Sequence, residues 1–212
     1  MNYDYNLIVK FKSERFTIVS DSNKKQYLRT YDLVVEAIGA AFIAVGAFIS
    51  LNIAQVPFTL QTLAIFAVLM TIGGKRGTIS IICYLLLGAV GLPVFSGFKG
   101  GFASIIGPTG GFLLGFVLVG FIYLLLADVL FKANDLPRGK RIVYKAIIAV
   151  ICHLVLYVFG VLWFVTVYAS QTGPIGFGAA ISMCVLPFIL PDAAKIAAAI
   201  LVSEACHGVI KK

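Results

Sequence analysis

Asp192 and Lys195 are the two charged residues best placed to do chemistry, because both lie in the apolar run LPFILPDAAKIAAAILVSEA. Their spacing of three residues places them on one face of a helix. Pro191 indicates that this helix begins within about a turn of residues 187–191, since proline is tolerated in the first helical turn. A charge within a membrane span costs at least ~2.5 kcal/mol. The pair is therefore either an internal salt bridge that locks two helices or a recognition unit for a polar ligand.

A second candidate is the segment 88–115, GAVGLPVFSGFKGGFASIIGPTGGFLLG, in which a loop rich in glycine and proline separates two apolar runs. Lipid cannot satisfy free peptide groups, so irregular backbone at membrane depth occurs only where it is buried in protein or lines a cavity. Gly97, Gly100 and Gly101 allow the chain to bend and to approach a ligand closely. Broken helices are typical of transporter sites. We interpret the segment as a binding pocket at a helix boundary; the alternative is a re-entrant connection without a ligand.

The sequence carries no signature of catalysis or metal binding. Gly74 and Lys75 are followed by Arg76 and lack the earlier glycine of a phosphate-binding loop, which excludes ATP hydrolysis by that route. There is no His-Glu-x-x-His and no Gly-x-Ser-x-Gly motif. His153 and His207 each follow a cysteine, but adjacent helical positions point away from each other, which disfavours a metal site. We predict a protein that is not an enzyme and uses no cofactor.

The composition of the 212 residues indicates which elements carry these sites. Hydrophobic residues make up 60% of the chain and charged residues 12%, against roughly 25% charged in soluble proteins. We therefore expect a polytopic membrane protein. The second and third apolar runs are short against the ~20 residues of a perpendicular span, and cross only if flanking loop residues also enter the membrane. The six runs are 31–53, 59–72, 78–92, 108–131, 142–168 and 187–206, with a further apolar piece at 177–186.

The positions of the 17 Lys and Arg residues predict the topology. Fifteen of them lie in the first 30 residues, around two alternate connections between runs, and at the carboxyl end. The opposite side has only Lys99, and Lys195 lies inside the last run. By the positive-inside rule we predict an all-α membrane protein of six transmembrane helices, with both termini cytoplasmic and irregular outer loops dipping into the membrane. The net charge of +8 is then a topology signal rather than a sign of nucleic-acid binding.

Two further features concern the organisation of the chain. Residues 1–30 are polar and are expected to form a cytoplasmic extension, and residues 31–212 the six-helix membrane domain. Small residues spaced by four predict two packing seams. One seam is expected to pack inside the protein and consists of Gly107, Gly111 and Gly115. The other faces either inward or a partner subunit and consists of the pairs Ala37/Ala41 and Ala40/Ala44.

Five motifs together resemble the BioY family, the biotin-specific S component of energy-coupling-factor (ECF) transporters. The motifs lie in family order between about Ala37 and Ala205, and they are specific only jointly. They are VPFTLQTLAIF, GAVGLPVF, GPTGGFLLGF, the pair Gly160 and Trp163, and LPFILPDAAK. The resemblance implies a multi-pass cell-membrane subunit that captures biotin outside. It also implies docking, through Ala40 and Ala44, onto a membrane coupling subunit (T component) driven by two ATPase subunits.

The resemblance further implies a binding role for particular residues, with biotin as transported ligand. Asp192 would accept from a ureido N–H, Lys195 would donate to the ureido carbonyl, and aromatic rings would cover the fused ring of biotin. The tail carboxylate would point to Lys99 and to an anion-binding nest of backbone N–H groups. In the opposite polarity, Lys195 binds the carboxylate. The candidate binding residues are Asp192, Lys195, Trp163, Phe95, Gly97, Lys99, Gly100, Gly101 and Gln61.

Three alternatives stay open at the level of sequence. The first is an S component for another vitamin, which a ligand panel distinguishes. The second is a membrane-embedded enzyme that acts on a lipid-linked substrate, for which substitution of Asp192 would abolish chemistry without weakening binding. The third is a structural or assembly subunit, which would bind no small ligand.

Overall fold

The computed structural model describes residue 26 and residues 28–51, 56–130 and 136–210. The chain forms two units, Met1–Val35 and Glu36–Lys212. The described part of the first unit is helical. The core and the cavity described below belong to the second unit alone.

The described residues are mainly helical, with one small hairpin and short turns. The π-helical segment Leu124–Leu130 continues α5, and 3-10 turns lie at Ser96–Phe98 and Leu186–Phe188. The elements follow one another as α1 (Leu28–Phe48), β1 (Ser50–Leu51), β2 (Phe58–Thr59), α2 (Gln61–Ile72), α3 (Gly74–Ala89), α4 (Phe102–Ile106), α5 (Gly110–Tyr123), α6 (Arg138–Thr172), α7 (Phe177–Cys184) and α8 (Ile189–Ile210). The two strands pair antiparallel, with Ser50 opposite Thr59 and Leu51 opposite Phe58.

Within the described ranges, four helical stretches are long and apolar enough to cross a membrane. They correspond to the first, fourth, fifth and sixth apolar runs of the sequence. Helix α2 has 12 residues and α3 has 16, which gives about 18 and 24 Å of helix against a hydrocarbon core of about 30 Å. The shortness predicted for these two runs is confirmed. The fold is that of an all-helical, multi-pass membrane protein. The four stretches are Leu28–Phe48, Gly110–Val129, Arg138–Ser170 and Phe177–His207.

Helix α2 forms part of the buried core of the Glu36–Lys212 unit. Its seven consecutive residues 64–70 are all buried, and it packs against α3, α5 and α8. A helix that is apolar on every side is expected in such a place. Gly73 ends α2 with a φ of 91°. The next helix starts at once, because Asp128 Oδ2 accepts a hydrogen bond from the Gly74 N–H at 2.6 Å and so caps α3.

The glycine seam brings α5 against α6, and close packing is confirmed at two of its three positions. A Cβ atom at Gly111 would overlap the side chain of Trp163. A Cβ atom at Gly115 would lie 2.7 Å from Leu156 Cδ1. Gly107 differs because it precedes α5 and is half-buried.

The two alanine pairs predicted for the seam of α1 differ in exposure. Ala40 and Ala44 are 4% and 9% exposed and belong to the hydrophobic core. This burial disagrees with a docking role for their methyl groups, because a partner subunit needs an exposed surface. The neighbouring pair Ala37 and Ala41 is exposed instead, rotated by about 60° around the helix.

Candidate ligand-binding site

A cavity of about 720 Å³ lies among the β2–α2 corner, the irregular segment after α3, and helices α5, α6 and α8. Its volume falls within the roughly 300–1,000 Å³ of small-molecule sites. Six of the nine predicted binding residues line it: Asp192, Lys195, Phe95, Gly97, Lys99 and Gln61. The other three, Trp163, Gly100 and Gly101, do not.

The charged pair lies in the first turns of α8, where Pro191 predicted the helix to begin. Lys195 Nζ donates to Asp192 Oδ1 at 2.7 Å, and the two residues are only 6% and 5% exposed. Both belong to α8, so this salt bridge does not itself lock two helices. Lys195 Nζ also lies 4.0 Å from the centroid of the Phe58 ring, a cation–π contact supplied by the hairpin.

The second oxygen of Asp192 contacts helix α6. Tyr157 Oη donates to Asp192 Oδ2 at 2.6 Å, and His153 Nε2 lies 2.9 Å from the same oxygen. Sequence reasoning missed both side chains, because it weighed His153 only as a metal ligand. The signal was their four-residue spacing, which places two polar residues on one face of an otherwise apolar helix.

Gln61 lies on another wall of the cavity and is held by its neighbours. Its Nε2 donates to Tyr84 Oη at 3.0 Å, and the residue is 4% exposed. Tyr84 meets Phe95 edge-to-face with ring centroids 5.5 Å apart. Gly88 makes room for the Phe95 ring, since a Cβ atom there would overlap it. The predicted residues Gln61 and Phe95 are thus linked through Tyr84 at the edge of the cavity.

The turn 95–99 contributes a positively charged residue, Lys99, to the lining of the cavity. The Phe95 N–H donates to the Lys99 carbonyl at 2.9 Å, and Gly97 and Phe98 both have left-handed backbone, with φ of 69° and 56°. This conformation is unfavourable for a phenylalanine. Stacking of Phe98 on Phe48, with centroids 4.6 Å apart, holds it in place. The turn leaves Lys99 exposed at the cavity.

Gly100 and Gly101 shape this segment rather than the cavity wall. The Gly101 N–H donates to the Gly88 carbonyl at 2.7 Å, so it is committed within the protein. A Cβ atom at Gly100 would overlap the carbonyl oxygen of Leu92. The predicted nest of free N–H groups is therefore wrong for Gly101, and Gly100 serves close backbone packing.

Trp163 also has a role other than the predicted cover for a ring. Its Nε1 donates to the Gly107 carbonyl at 3.0 Å and anchors the corner before α5. The next residue, Phe164, lines the cavity instead. A rotation of α6 by one residue moves a side chain by about 100°, which the sequence pattern of an apolar helix does not fix. The aromatic lining consists of Phe95, Phe112, Phe116, Tyr157, Phe164, Tyr168 and Phe188.

Known proteins resemble this chain both in sequence and in fold. The BioY family matches residues 21–212. The probable biotin transporter BioY of Pyrococcus horikoshii is 35% identical over 181 residues, 85% of this chain and 99% of that protein. The biotin transporter BioY of Thermotoga maritima is 49% identical over 96 residues, 45% of this chain and 57% of that protein.

The fold has a counterpart of known structure. A crystal structure of the S-component for biotin from an ECF-type ABC transporter aligns with a TM-score of 0.69 and 26% sequence identity. The alignment covers 88% of this chain and 94% of that chain.

Proposed function

The chain belongs to the BioY family, as its motifs predict, and we propose that it is the biotin-binding S component of an ECF-type uptake transporter. It is a transport subunit rather than an enzyme. The observation that carries the proposed ligand is the buried Asp192–Lys195 pair in the wall of an aromatic-lined cavity. Such a cavity suits a small molecule with an apolar body and a polar ring group.

The hydrogen-bonding capacity left at this pair fits the ureido group of biotin. A carboxylate has about four lone-pair sites. Three of those of Asp192 are taken by Lys195, Tyr157 and His153, which leaves one. An ammonium group has three donors, of which Lys195 uses one on Asp192 and turns toward the Phe58 ring. One acceptor and one donor therefore remain side by side. A ureido N–H and its adjacent carbonyl require that arrangement.

The charges along the cavity favour the ureido group at α8 and the tail at Lys99. Asp192 neutralises Lys195, and an anionic tail beside them would also meet the charge of Asp192. Lys99 has no ion pair with any residue in the described ranges, and it is exposed at the cavity. Between these two ends, Phe112 and Phe164 can cover the fused ring by apolar contact.

Isothermal titration calorimetry of the purified protein against biotin, desthiobiotin and biotin amide tests this proposal. We expect biotin and desthiobiotin to bind, because both keep the ureido ring. The amide should lose at most about 1 kcal/mol, since an exposed charge such as Lys99 contributes little. A large loss with the amide would mean that Lys195 serves the carboxylate.

A control panel of riboflavin and thiamine separates the alternatives. Binding of one of these vitamins without binding of biotin would assign the chain to another substrate. Binding of no ligand at all would favour a structural subunit. Native mass spectrometry of the protein as purified gives an independent readout, because a tight vitamin binder retains its ligand.

The proposal extends to topology and partners. Six membrane-spanning helices, α1, α2, α3, α5, α6 and α8, place both termini on the cytoplasmic side and Lys99 outside. The fifteen-to-one distribution of Lys and Arg supports this orientation. In the membrane the subunit docks onto a coupling subunit powered by two ATPases, which supply the ATP hydrolysis for which this chain has no motif. The exposed face of α1 around Ala37 and Ala41 is the docking surface.

A further inference from the structure

Two side chains of α6 converge on one oxygen of Asp192. Tyr157 Oη lies 2.6 Å and His153 Nε2 2.9 Å from Asp192 Oδ2. Asp192 belongs to α8, so both contacts cross between helices. Lys195 takes the other oxygen, Oδ1, from within α8. The carboxylate is therefore held from two helices at once.

The surroundings of His153 fix its ring and identify the donating atom. A carboxylate only accepts, so Nε2 carries the proton in the contact with Asp192. The ring stacks on Phe66 with centroids 5.9 Å apart and meets Tyr157 edge-to-face at 4.6 Å. His153 is 6% exposed and does not line the cavity. It can affect a ligand only through another residue.

Tyr157 combines the same contact with a place in the cavity wall. The spacing of four residues puts Tyr157 and His153 on one face of α6, a continuous helix of 35 residues. Two donors from one helix to a single oxygen oppose rotation of the carboxylate. Its Oδ1 stays with Lys195, and its remaining lone pair stays available to the cavity that Asp192 lines.

We infer that His153 and Tyr157 are positioning residues that hold the Asp192 carboxylate ready to accept a hydrogen bond from a ring N–H of the ligand. The inference rests on the proposed function and adds two residues that the family motifs in the sequence do not contain. An acceptor that is held in place before binding loses less freedom when the ligand arrives. Affinity for a ureido compound therefore depends on side chains of α6 as well as α8.

The Tyr157→Phe variant tests the inference by calorimetry with biotin. We expect its Kd to rise about tenfold, in keeping with loss of a hydrogen bond to a charged group. The matched control is Tyr123→Phe. Tyr123 is fully buried outside the cavity, and its hydroxyl has no hydrogen-bond partner among the residues that the structure describes. Its removal should leave the Kd of biotin unchanged.

A thermodynamic cycle distinguishes positioning from packing. If Tyr157 acts through Asp192, then Tyr157→Phe should add no further loss in an Asp192→Ala background. Equal losses in both backgrounds would overturn the inference. A second cycle needs no variant of Asp192: biotin methylated on its ureido nitrogens should bind Tyr157→Phe and the unmodified protein with nearly equal affinity.

Variants of His153 provide a rescue test. His153→Gln keeps an N–H near the position of Nε2 and should bind biotin more tightly than His153→Leu, which removes the donor. Equal affinity of these two variants would overturn the role of His153. If the unmodified protein does not bind biotin, the proposed function fails. If it binds biotin normally and the Tyr157→Phe variant binds with the same affinity, only the positioning role is refuted.

Discussion

At the scale of single residues, the contacts of Asp192 explain how a carboxylate is tolerated in an apolar surrounding. Burial of an unpaired charge is costly, but a buried charge that is paired and hydrogen-bonded can persist. Asp192 has a cation on one oxygen and two hydrogen bonds on the other. The contacts correspond in part to each interpretation of the sequence, a link between two helices and a pair that faces a ligand. His153 and Tyr157 connect the helices, and the salt bridge with Lys195 faces the cavity.

The first prediction concerns this carboxylate. Asp192→Asn should weaken biotin binding by roughly 1.5–3 kcal/mol, the range for a hydrogen bond to a charged group. The substitution also leaves Lys195 without its counter-charge, which acts in the same direction. Calorimetry measures the effect, and Asp128→Asn is the matched control, because that carboxylate caps α3 outside the cavity. Undiminished affinity in a folded Asp192→Asn protein would reduce the pair to a structural role.

Among the predicted binding residues, those whose local motif fixes their orientation line the cavity. Asp192 and Lys195 follow a proline that defines the start of α8, and Phe95 and Gly97 lie in a glycine-rich turn. Trp163 was misplaced because the middle of a long apolar helix has no local marker of its rotation. Such positions are decided by packing between helices, which a single sequence does not reveal.

At the scale of elements, helices α6 and α8 are joined at a second level, away from the cavity. Arg141 binds Glu204 through Nε at 2.8 Å, and Lys145 Nζ lies 3.2 Å from the same carboxylate oxygen. Lys145 also donates to Ser203 Oγ at 2.8 Å, and Ser203 donates to the Met70 carbonyl of α2 at 2.7 Å. The rise along α8 from Lys195 to Ser203 is about 12 Å. The three helices α2, α6 and α8, which carry Gln61, Tyr157 and Asp192, are therefore also held together at a distance from the cavity.

The second prediction concerns this fastening. Glu204→Gln leaves two buried cations without their carboxylate, and removal of one partner from a buried pair typically costs about 3–5 kcal/mol. We expect that loss in the free energy of unfolding, measured by equilibrium denaturation in mixed micelles. Ser203→Ala provides the comparison, since it keeps the carboxylate and removes a neutral hydrogen bond to the Met70 carbonyl, worth about 1 kcal/mol, and one from the Lys145 ammonium, worth about 1.5–3 kcal/mol. If both variants were as stable as the unmodified protein, the cluster would contribute little.

The ends of helices were predictable where the sequence contains helix-breaking glycines or prolines. Gly73 separates α2 from α3, and the loop before α5 is irregular as the glycines and prolines indicate. The fourth apolar run, 108–131, predicted that this helix continues past Tyr123, but not that Leu124–Leu130 is π-helical. This segment brings Asp128 to the start of α3, a contact between residues far apart in sequence. No local pattern encodes such a contact.

At the scale of the whole molecule, composition indicates the class of protein, whereas the burial of individual residues shows which helix faces are exposed. A chain with 60% hydrophobic residues and few charges is a membrane protein whatever its helix packing. Composition does not indicate which side of α1 faces inward. Both alanine pairs of this helix show the same four-residue spacing, so spacing alone does not distinguish a core seam from a surface. The structure separates them by exposure, with Ala40 and Ala44 in the core.

The last prediction applies this distinction to docking. Ala37→Trp and Ala41→Trp add bulk to an exposed helix face, so the isolated protein should still bind biotin with unchanged affinity. Uptake should fall severely, because small residues allow two helices to approach closely and a large ring prevents it. Accumulation of labelled biotin in cells that also produce the coupling subunit and the ATPases measures this effect.

Two controls make the docking test specific. Leu154→Trp places the same ring on an exposed apolar position of α6 and should leave uptake intact. Ala40→Trp places it in the core instead, so loss of uptake should there accompany loss of fold and of biotin binding. If the Ala37 and Ala41 variants transport biotin normally, the coupling subunit contacts another face. If they lose biotin binding, the exposed side of α1 supports the cavity, and the separation of capture from docking on this helix is wrong.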